Sequence, residues 1–240
     1  MRFDVITIFP QLIEQAIQYG ILGRAVESEL LQVVIHNLRD YCHDRHRQVD
    51  DTPYGGGPGM VMKPEPFFEV VRTLRDDGQG DGRVVLLSPQ GQSFNQQKAR
   101  QLGLHSRLIL LCARYEGIDE RVRKAVVDEE ISIGDYVLSG GEFAALVVMD
   151  AVARMIDGVL GNEESAEQES HTQGLLEYPQ YTRPAIFEDM AAPDILIHGH
   201  HEQIRRWRRM QALKRTLQRR PDLLVRAELT DEDWQLLGTL

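Results

Sequence analysis

Three stretches of the sequence decide the fold: 83–91 reads RVVLLSPQG, 107–117 reads RLILLCARYEG, and 130–141 reads EISIGDYVLSGG. Each begins with a short apolar run typical of a buried β-strand and continues into a loop rich in glycine or polar residues. Helical patterns follow these loops at 95–103, 117–128 and 142–157. Nearly continuous apolar strands that alternate with helices predict a parallel sheet covered on both faces, and therefore an α/β fold class.

The three loops predict one composite pocket, because ligands of open parallel sheets bind beyond the carboxyl ends of the strands. Glycines in such loops let the backbone approach a ligand closely. Neither the dinucleotide motif GxGxxG nor the phosphate-binding motif GxxxxGK[ST] occurs. The run YGGGPGM at 54–60 precedes Lys63, but no Ser or Thr follows that lysine. The sequence thus does not favour a conventional NAD site or an NTPase.

The remaining N-terminal sequence fits the same pattern. Residues 1–9 alternate like a strand, Pro10 opens a helix that Gly20 ends, and 30–36 form a second β-like run. Residues 50–60, DDTPYGGGPGM, contain too many glycines and prolines for regular structure and predict a loop.

The C-terminal third has a different pattern. Residues 160–174, LGNEESAEQESHTQG, are polar, acidic and aperiodic, which predicts a flexible interdomain linker. Helical patterns follow at 200–219, 221–227 and 230–238. Thr230 and Asp233 are spaced for a capping box at the last helix. We therefore expect an α/β domain over 1–159 and a small helical domain over 175–240.

The composition excludes several classes of protein. The chain has 240 residues, of which 42% are hydrophobic and 27% charged, as in globular proteins with a buried core. No run approaches the ~18 apolar residues that cross a bilayer. The start, MRFDVITIFP, lacks the basic and apolar regions of a signal peptide. We therefore expect a cytoplasmic protein without a membrane partner.

Cysteine and histidine do not suggest a metal or thiol centre. Two cysteines, Cys42 and Cys112, are too few for a disulfide framework and have no triad-like partners. The CHxxH cluster at 42–46 and the HGHH cluster at 198–201 lack the paired spacing of a structural zinc site. Surface or hydrogen-bonding histidines are the favoured interpretation.

The charge is distributed unevenly. The net charge is -10, yet 205–220, RRWRRMQALKRTLQRR, contains eight basic residues and no acidic one. Such a stripe, with no i,i+4 acidic partners within it, can hold nucleic-acid phosphates despite the overall acidity. The alternative is a solvated helix face. Trp207 is either a stacking platform for a base or a core residue, and its spacing from Ile204 and Met210 favours the core.

Taken together, several strings resemble the bacterial tRNA (guanine-N1)-methyltransferase family, and they span nearly the whole chain in the family's order. These strings are TIFP at 7–10, DDTPYGGGPGMVMKPEP at 50–66, SPQG at 88–91, RYEGIDER at 114–121, EISIGDYVLSGGE at 130–142, DAVAR at 150–154, GLLEYPQYTRP at 174–184 and IRRWRR at 204–209.

The resemblance implies a SPOUT methyltransferase, whose parallel sheet carries a trefoil knot, a rare exception to the usual rules of chain connection. It implies an obligate homodimer with active sites at the subunit interface and S-adenosylmethionine as methyl donor. The implied donor pocket comprises Leu87, Ser88, Pro89, Gln90, Gly91, Ala113, Tyr115, Glu116, Gly117, Ile133, Gly134, Asp135, Tyr136, Val137, Leu138, Gly140 and Gly141. The family usually has glycine where this chain has Ala113.

The implied reaction is methylation of N1 of guanosine 37, next to the tRNA anticodon. The resemblance implies that a linker carboxylate removes the N1 proton, at Glu169 in this chain where the family more often has Asp, and that Arg154 stabilises the charge on O6. Glu163, Glu164, Glu167 and His171 are the alternative bases. A magnesium ion is also implied during catalysis, without assigned ligands.

The resemblance places substrate contacts in two groups. Around the target base it implies Pro58, Gly59, Glu116, Ser165 and Ser170. On the phosphates of the anticodon stem-loop it implies Arg205, Arg206, Arg208, Arg209, Lys214 and Arg215. The alternative functions are a related RNA methyltransferase acting on a ribose 2'-hydroxyl or on another base, and an RNA-binding module without catalysis.

Overall fold

The computed structural model describes residues 1–161 and 169–239, which fall into two compact units, Met1–Gly161 and Asn162–Leu240. No helix among these residues is long and apolar enough to cross a membrane.

The first unit is built on a five-stranded sheet in the order β2-β1-β6-β5-β7, with every pair parallel. A separate antiparallel pair, β3 and β4, flanks the glycine-rich loop. The strands are β1 (Arg2–Thr7), β2 (Gln32–Asn37), β3 (Asp50–Asp51), β4 (Val61–Met62), β5 (Arg83–Ser93), β6 (Arg107–Cys112) and β7 (Glu129–Ser132).

Helices cover both faces of this sheet, as the sequence predicts. They are α1 (Pro10–Ala16), α2 (Gly20–Glu27), α3 (Pro64–Arg75), α4 (Gln96–Gly103), α5 (Glu120–Ala125) and α6 (Glu142–Ala153). Every residue of the central strand β6 is buried. Leu108 and Leu110 pack with α1, α2, α4 and α6, whereas Ile109 and Leu111 pack with α3 and α5. The continuous apolar run of β6 therefore reflects burial on two sides.

The sequence predicts that β5 ends before residue 88, which is too early. The strand pairs Leu87 with Ile131, leaves the ladder, and rejoins it with Gln92 opposite the same Ile131, so that it runs on to Ser93. The predicted loop at 88–91 is therefore a bulge within a strand. A Cβ atom on Gly91 would lie 2.4 Å from the backbone nitrogen of Ile131, so only glycine fits where the bulge crosses β7.

The helix after β6 is also shorter than the predicted 117–128. Asp119 precedes its first turn, and its Oδ1 accepts a hydrogen bond of 2.9 Å from the backbone nitrogen of Arg121. This cap delays the helix start, because the capping residue has non-helical dihedral angles.

A buried charge cluster, the Asp4 cluster, joins the amino ends of β1 and β6. Arg107 Nε donates to Asp4 Oδ2 at 2.7 Å, and its Nη2 donates to Asp77 Oδ2 at 2.7 Å. Burial alone would raise the pKa of Asp4, but hydrogen bonds from His36, Arg2 and Arg107 hold that pKa well below its usual range. The cluster thus keeps a buried carboxylate ionised and ties two strands together.

The second unit contains helices and one short hairpin. Its elements are β8 (Ile186–Phe187), β9 (Met190–Ala191), α7 (Asp194–His198), α8 (His201–Arg219), α9 (Pro221–Leu224) and α10 (Asp231–Leu237). Leu175, Leu213 and Leu236 form its core. The prediction of an all-helical domain missed the hairpin, because a two-residue strand is too short to show alternation.

The predicted capping box at the last helix is confirmed. Thr230 Oγ1 accepts from the backbone nitrogen of Asp233 at 3.2 Å, and Asp233 Oδ2 accepts from that of Thr230 at 2.9 Å. Seven of the fifteen residues of the predicted linker, 162–168, lie outside the described residues. Residues 169–174 form turns in the second unit, where the His171 nitrogen donates to the Leu175 oxygen at 2.7 Å.

Candidate functional site

The three predicted loops surround one cavity at the carboxyl edge of the sheet. All the residues assigned to the donor pocket line this cavity except Gly91 and Asp135. The lining also includes residues that the resemblance did not supply: Leu86, Arg114, Arg123, Ile131, Ser132, Ser139 and Ala144. Arg114 and Ser139 lie inside the quoted motifs RYEGIDER and EISIGDYVLSGGE, between residues that were assigned to the pocket. That position in the motifs could have predicted that they line the cavity.

The first wall is the bulge of β5. Ser88 Oγ accepts a hydrogen bond of 3.1 Å from the Gln90 backbone nitrogen, which closes the turn. The Gln90 side chain is itself held, because Arg123 Nη1 donates to its Oε1 at 3.2 Å. Gly91 lies behind the wall against β7 and shapes the cavity without lining it.

The second wall is formed by residues 113–117, which follow β6 and turn sharply. Tyr115 has φ +59° and Gly117 has φ +110°, both in the left-handed region, and the Gly117 nitrogen donates to the Arg114 oxygen at 3.0 Å. Ala113 is not among the residues with positive φ. An alanine can therefore replace the family's usual glycine there without backbone strain.

The third wall follows β7 and packs tightly on the second. A Cβ atom on Gly141 would lie 2.8 Å from the Cys112 Cα, and the Gly141 nitrogen donates to the Ala113 oxygen at 2.9 Å. Val137 and Leu138 keep 83% and 40% of their surface exposed, so apolar side chains remain available to a ligand. Backbone groups and apolar side chains thus form most of the cavity surface.

Cys112 is the last residue of β6 and precedes Ala113, which lines the cavity. Its complete burial, with a smaller contribution from the charge of Glu142, raises the pKa of the thiol well above its usual range. The thiolate is the nucleophilic form of cysteine. Cys112 is therefore a neutral core residue, in agreement with the sequence interpretation.

The glycine-rich loop at 50–60 lies beside the second wall. The Glu116 backbone nitrogen donates to the Met60 oxygen at 3.0 Å, and the Met62 nitrogen donates to the Gly117 oxygen at 2.9 Å. A Cβ atom on Gly59 would lie 2.4 Å from Glu116 Oε1. The structure therefore brings exposed Gly59, with its neighbour Pro58, next to Glu116.

Arg154 does not line the cavity of its own chain. It caps the carboxyl end of α6, whose amino end borders the cavity at Gly141. Twelve residues separate Glu142 from Arg154, which at 1.5 Å per residue places them roughly 18 Å apart along the helix axis. The predicted O6 contact and the predicted donor loops are therefore distant within one chain.

Glu169 lines a second cavity, within the second unit, together with Tyr178, Arg205, Arg208 and Arg209. The neighbouring Ser170 Oγ accepts a hydrogen bond of 2.9 Å from the Glu177 backbone nitrogen. His171, the alternative base, has φ +73° and does not line this cavity. Glu163, Glu164, Glu167 and Ser165 lie outside the described residues.

Arg209 on α8 is paired with a buried carboxylate. Its Nε and Nη2 donate to Asp233 Oδ1 and Oδ2 at 2.7 and 2.8 Å, and its Nη1 donates to Gln173 at 2.9 Å. The Arg209 hydrogen bonds, supported by those from Thr230 and opposed by burial, lower the pKa of Asp233 to about 2. The principal contact of Arg209 is thus structural.

Arg205 and Arg206 also have acidic neighbours. Arg205 Nη2 lies 2.7 Å from Glu202 Oε1 and 3.2 Å from Glu232 Oε2, and Arg206 Nε lies 3.9 Å from Glu232. The expectation of an unneutralised stripe is therefore wrong for this end of the helix. The acids come from position i−3 and from α10, outside the stretch that was inspected for i,i+4 partners.

Three of the other basic residues of the stripe keep their charge available, whereas Arg220 is paired with Asp222 at 2.6 Å. No carboxylate among the described residues lies within ion-pair distance of Arg208, Lys214 or Arg215. The Arg208 guanidinium lies over the Tyr178 ring, 4.8 Å from its centroid, and its buried Nε has no hydrogen-bond partner within 1–161 and 169–239. Arg208 is therefore the cavity-lining arginine best placed to receive an anion.

Trp207 lies at the margin of the second unit. It is half-buried, outside the central core cluster, and its ring contacts Tyr181 with centroids 6.5 Å apart. The core interpretation therefore holds only in part.

Among the described residues, no three His, Cys, Asp or Glu side chains converge as a metal site would require.

The fold and cavity define an α/β protein of the class whose ligands bind in loops beyond the carboxyl ends of parallel strands. The chain belongs to the family described as tRNA (Guanine-1)-methyltransferase TrmD, whose sequence pattern matches residues 1–226. The resemblance seen in the motifs is thereby confirmed.

Curated relatives of bacterial origin match along the full length. The chain is 52% identical over 240 residues to a tRNA (guanine-N(1)-)-methyltransferase of Dehalococcoides mccartyi, covering 100% of this chain and 97% of the relative. Proteins of the same name from Dictyoglomus turgidum and Heliobacterium modesticaldum are 54% and 55% identical. Those alignments cover 99% of this chain and 95% and 90% of the respective relatives.

Proposed function

We propose that this protein transfers a methyl group from S-adenosylmethionine to N1 of guanosine 37 in tRNA. The observation that carries the proposal is the match to the family over nearly the whole chain, together with a cavity formed by the three motif loops.

The residues present fit the donor. Gly91 and Gly141 occupy positions where a Cβ atom would collide with backbone, which allows the loops to close around a flat ligand. Exposed Val137 and Leu138 can cover an adenine ring, while backbone groups of the second and third walls bind its edge. When bound, the donor supplies a methyl group attached to a positively charged sulfur. The SPOUT knot is part of this proposal, supported by the close passage of Gly141 over Cys112.

The target nitrogen needs help from the protein, because N1 of guanine carries a proton at neutral pH. We assign removal of that proton to Glu169, a contribution of about 10²–10⁴-fold for a well-placed base. We assign stabilisation of the charge left on O6 to Arg154. Pro58, Gly59, Glu116, Ser165 and Ser170 complete the surroundings of the base, which must leave its stack to be reached.

A homodimer with shared active sites is part of this proposal, and the position of Arg154 supports it. Because roughly 18 Å of helix separates Arg154 from the cavity of its own chain, we assign Arg154 to the cavity of a second copy. Phe143 and Val147, one turn apart on α6, remain 53% and 47% exposed, which suits burial against that copy.

The tRNA partner is assigned to the basic residues of the second unit. Arg208, Lys214 and Arg215 have no acidic partner among the described residues and would contact phosphates of the anticodon stem-loop directly. Arg205, Arg206 and Arg209 would contribute mainly through the potential around α8. Since tRNA is cytoplasmic, we place the reaction there. The magnesium requirement stays a prediction without assigned ligands.

The test is methylation of tRNA transcripts by purified protein with isotope-labelled donor, followed by mass spectrometry of the product nucleoside. We expect 1-methylguanosine, made from a transcript with G37 and absent from a matched transcript with A37. A 2'-O-methyl product, another methylated base, or RNA binding without methyl transfer would each overturn the proposal.

A further inference from the structure

A buried carboxylate lies behind the donor cavity without lining it. Glu142, the first residue of α6, has no exposed surface. Its Oε1 accepts from Thr7 Oγ1 at 2.8 Å and from Arg114 Nε at 3.1 Å, and its Oε2 lies 3.0 Å from Arg114 Nη2. Burying a charged group costs free energy of folding unless the group is fully paired. A buried carboxylate at this position therefore suggests a structural or functional role.

The donors to Glu142 come from two other segments of the chain. Thr7 ends β1, and its buried hydroxyl also accepts a hydrogen bond of 2.9 Å from the Phe9 backbone nitrogen. Arg114 follows β6, and its guanidinium lies against the Phe9 ring, 4.2 Å from the centroid. The contacts therefore form a closed ring of Thr7, Phe9, Arg114 and Glu142, which we call the Glu142 ring.

The Glu142 ring fixes the second wall of the cavity against the third. Arg114 and Gly140 form a β-bridge, and a Cβ atom on Gly140 would lie 2.4 Å from Arg114 Nε. Arg114 and Gly140 both line the cavity, whereas Glu142 and Thr7 do not. The carboxylate thus cannot touch a ligand, but it sets the separation of two walls that do.

We propose that Glu142, Thr7 and Arg114 are positioning residues for the methyl donor, which hold the second and third walls in the binding geometry before the donor arrives. The inference rests on the proposed function and deepens it. A preformed pocket saves the cost of ordering loops on binding, so loss of the ring weakens donor affinity more than the rate at saturating donor.

The main test uses Glu142→Gln and Thr7→Val, which keep side-chain shape. We expect the dissociation constant for S-adenosylmethionine, measured by calorimetry, to rise about tenfold or more in Glu142→Gln and several-fold in Thr7→Val. With donor at saturation, kcat of Thr7→Val should stay within about twofold of the wild-type value, and tRNA affinity should not change. Thr7→Ser keeps the hydroxyl and should restore donor affinity.

Asp4→Asn is the matched control. Asp4 is also fully buried and paired with an arginine, but Arg107 begins β6 whereas the cavity lies beyond its end. We expect this variant to lower the thermal midpoint and leave donor affinity unchanged. If Asp4→Asn weakens donor binding as much as Glu142→Gln does, the effect is general destabilisation and the inference is wrong.

Failure of the inference is distinguishable from failure of the proposed function. If the wild-type protein binds no donor, the proposed function fails. If it binds donor and the folded ring variants bind equally well, only the inference fails. Should Glu142→Gln not fold, the pair Thr7→Val and Thr7→Ser decides the question alone.

Discussion

The two units of this protein present their candidate sites by different means. In the first unit, glycines at backbone crossings shape the cavity, and its nearest buried charge lies behind the wall. In the second unit, arginines of α8 line the cavity, and three of the six assigned basic residues are paired with carboxylates of the same unit. The shape of the first cavity is set by steric contacts of the backbone. The positive charge available in the second unit depends on which arginines are already paired with carboxylates.

The difference teaches which sequence patterns translate directly into a site. A glycine that is required because a Cβ atom would collide with backbone indicates a close approach of two chain segments, whichever segment is the neighbour. An arginine keeps its positive charge but not its availability, because the acid that neutralises it can come from a distant helix. The following predictions separate these two kinds of site, from the largest expected effect to the smallest.

The largest effect is expected at the proposed base. Glu169→Gln removes the proton acceptor and should lower the single-turnover methylation rate by about 10²–10⁴-fold at saturating donor and tRNA. Glu169→Asp, which keeps a carboxylate, should retain most activity. Glu177→Gln changes another acid lining the same cavity and should have little effect. If Glu169→Gln stays active, His171 and the acids of 163–167 are the residues to examine.

The second effect tests the sterics of the first unit. Gly91→Ala places a Cβ atom 2.4 Å from the Ile131 nitrogen, so the bulge of β5 must shift and donor affinity should fall by about 5–150-fold, the equivalent of ~1–3 kcal/mol of overpacking. Gly161→Ala is the control, because a Cβ atom there meets nothing within 4 Å. Equal donor affinity in both variants, measured by calorimetry, would show that the bulge does not shape the pocket.

The third effect tests the availability of charge in the second unit. Arg208→Gln should weaken tRNA binding several-fold and reduce the slope of log affinity against log salt by about 1, as expected for one lost phosphate contact. Arg205→Gln is the matched control on the same helix, and its salt slope should change less because Glu202 and Glu232 already engage its charge. Filter binding across a salt series distinguishes the two.

The fourth effect concerns stability and pH. Arg209→Gln leaves the buried Asp233 carboxylate without its main partner and should cost the second unit about 1–3 kcal/mol. The pKa of Asp233 is lowered to about 2, so its contribution is present above pH 4 and lost as the pH falls from about 4 to 2. The wild-type thermal midpoint should fall over that window, whereas that of Arg209→Gln should respond less.

The smallest effect is expected at Ala113. Because its backbone does not require a positive φ, Ala113→Gly should change donor affinity by less than about twofold. A large gain in affinity on this change would mean that the alanine methyl group narrows the cavity.

Much of the fold and of the cavity could be predicted because it depends on local patterns. The apolar run of β6 predicts a central strand, and the loops ending in Gly91, Gly117 and Gly141 predict a pocket at one sheet edge. The return of β5 to the sheet after Gly91 could not be predicted, since it depends on pairing with Ile131 some 40 residues away along the chain.

The charged parts of the site were harder to predict for the same reason. The partner of Arg209 is Asp233 on another helix, and the partners of Glu142 are Thr7 and Arg114, at the ends of two other strands. No helical or strand periodicity links such residues. Only the three-dimensional structure shows which charges are already neutralised.

The bulge in β5 has a consequence for how this pocket can change. Leu87 and Gln92 share one partner, so a chain lacking residues 88–92 would place Leu87 opposite Ile131 and Ser93 opposite Ser132, two successive rungs of an uninterrupted ladder. The loop that forms the first wall of the cavity is thus an insertion in an otherwise regular strand. Its length can therefore change while the hydrogen-bond register of the sheet beneath it is retained, provided that a glycine remains where the chain crosses β7.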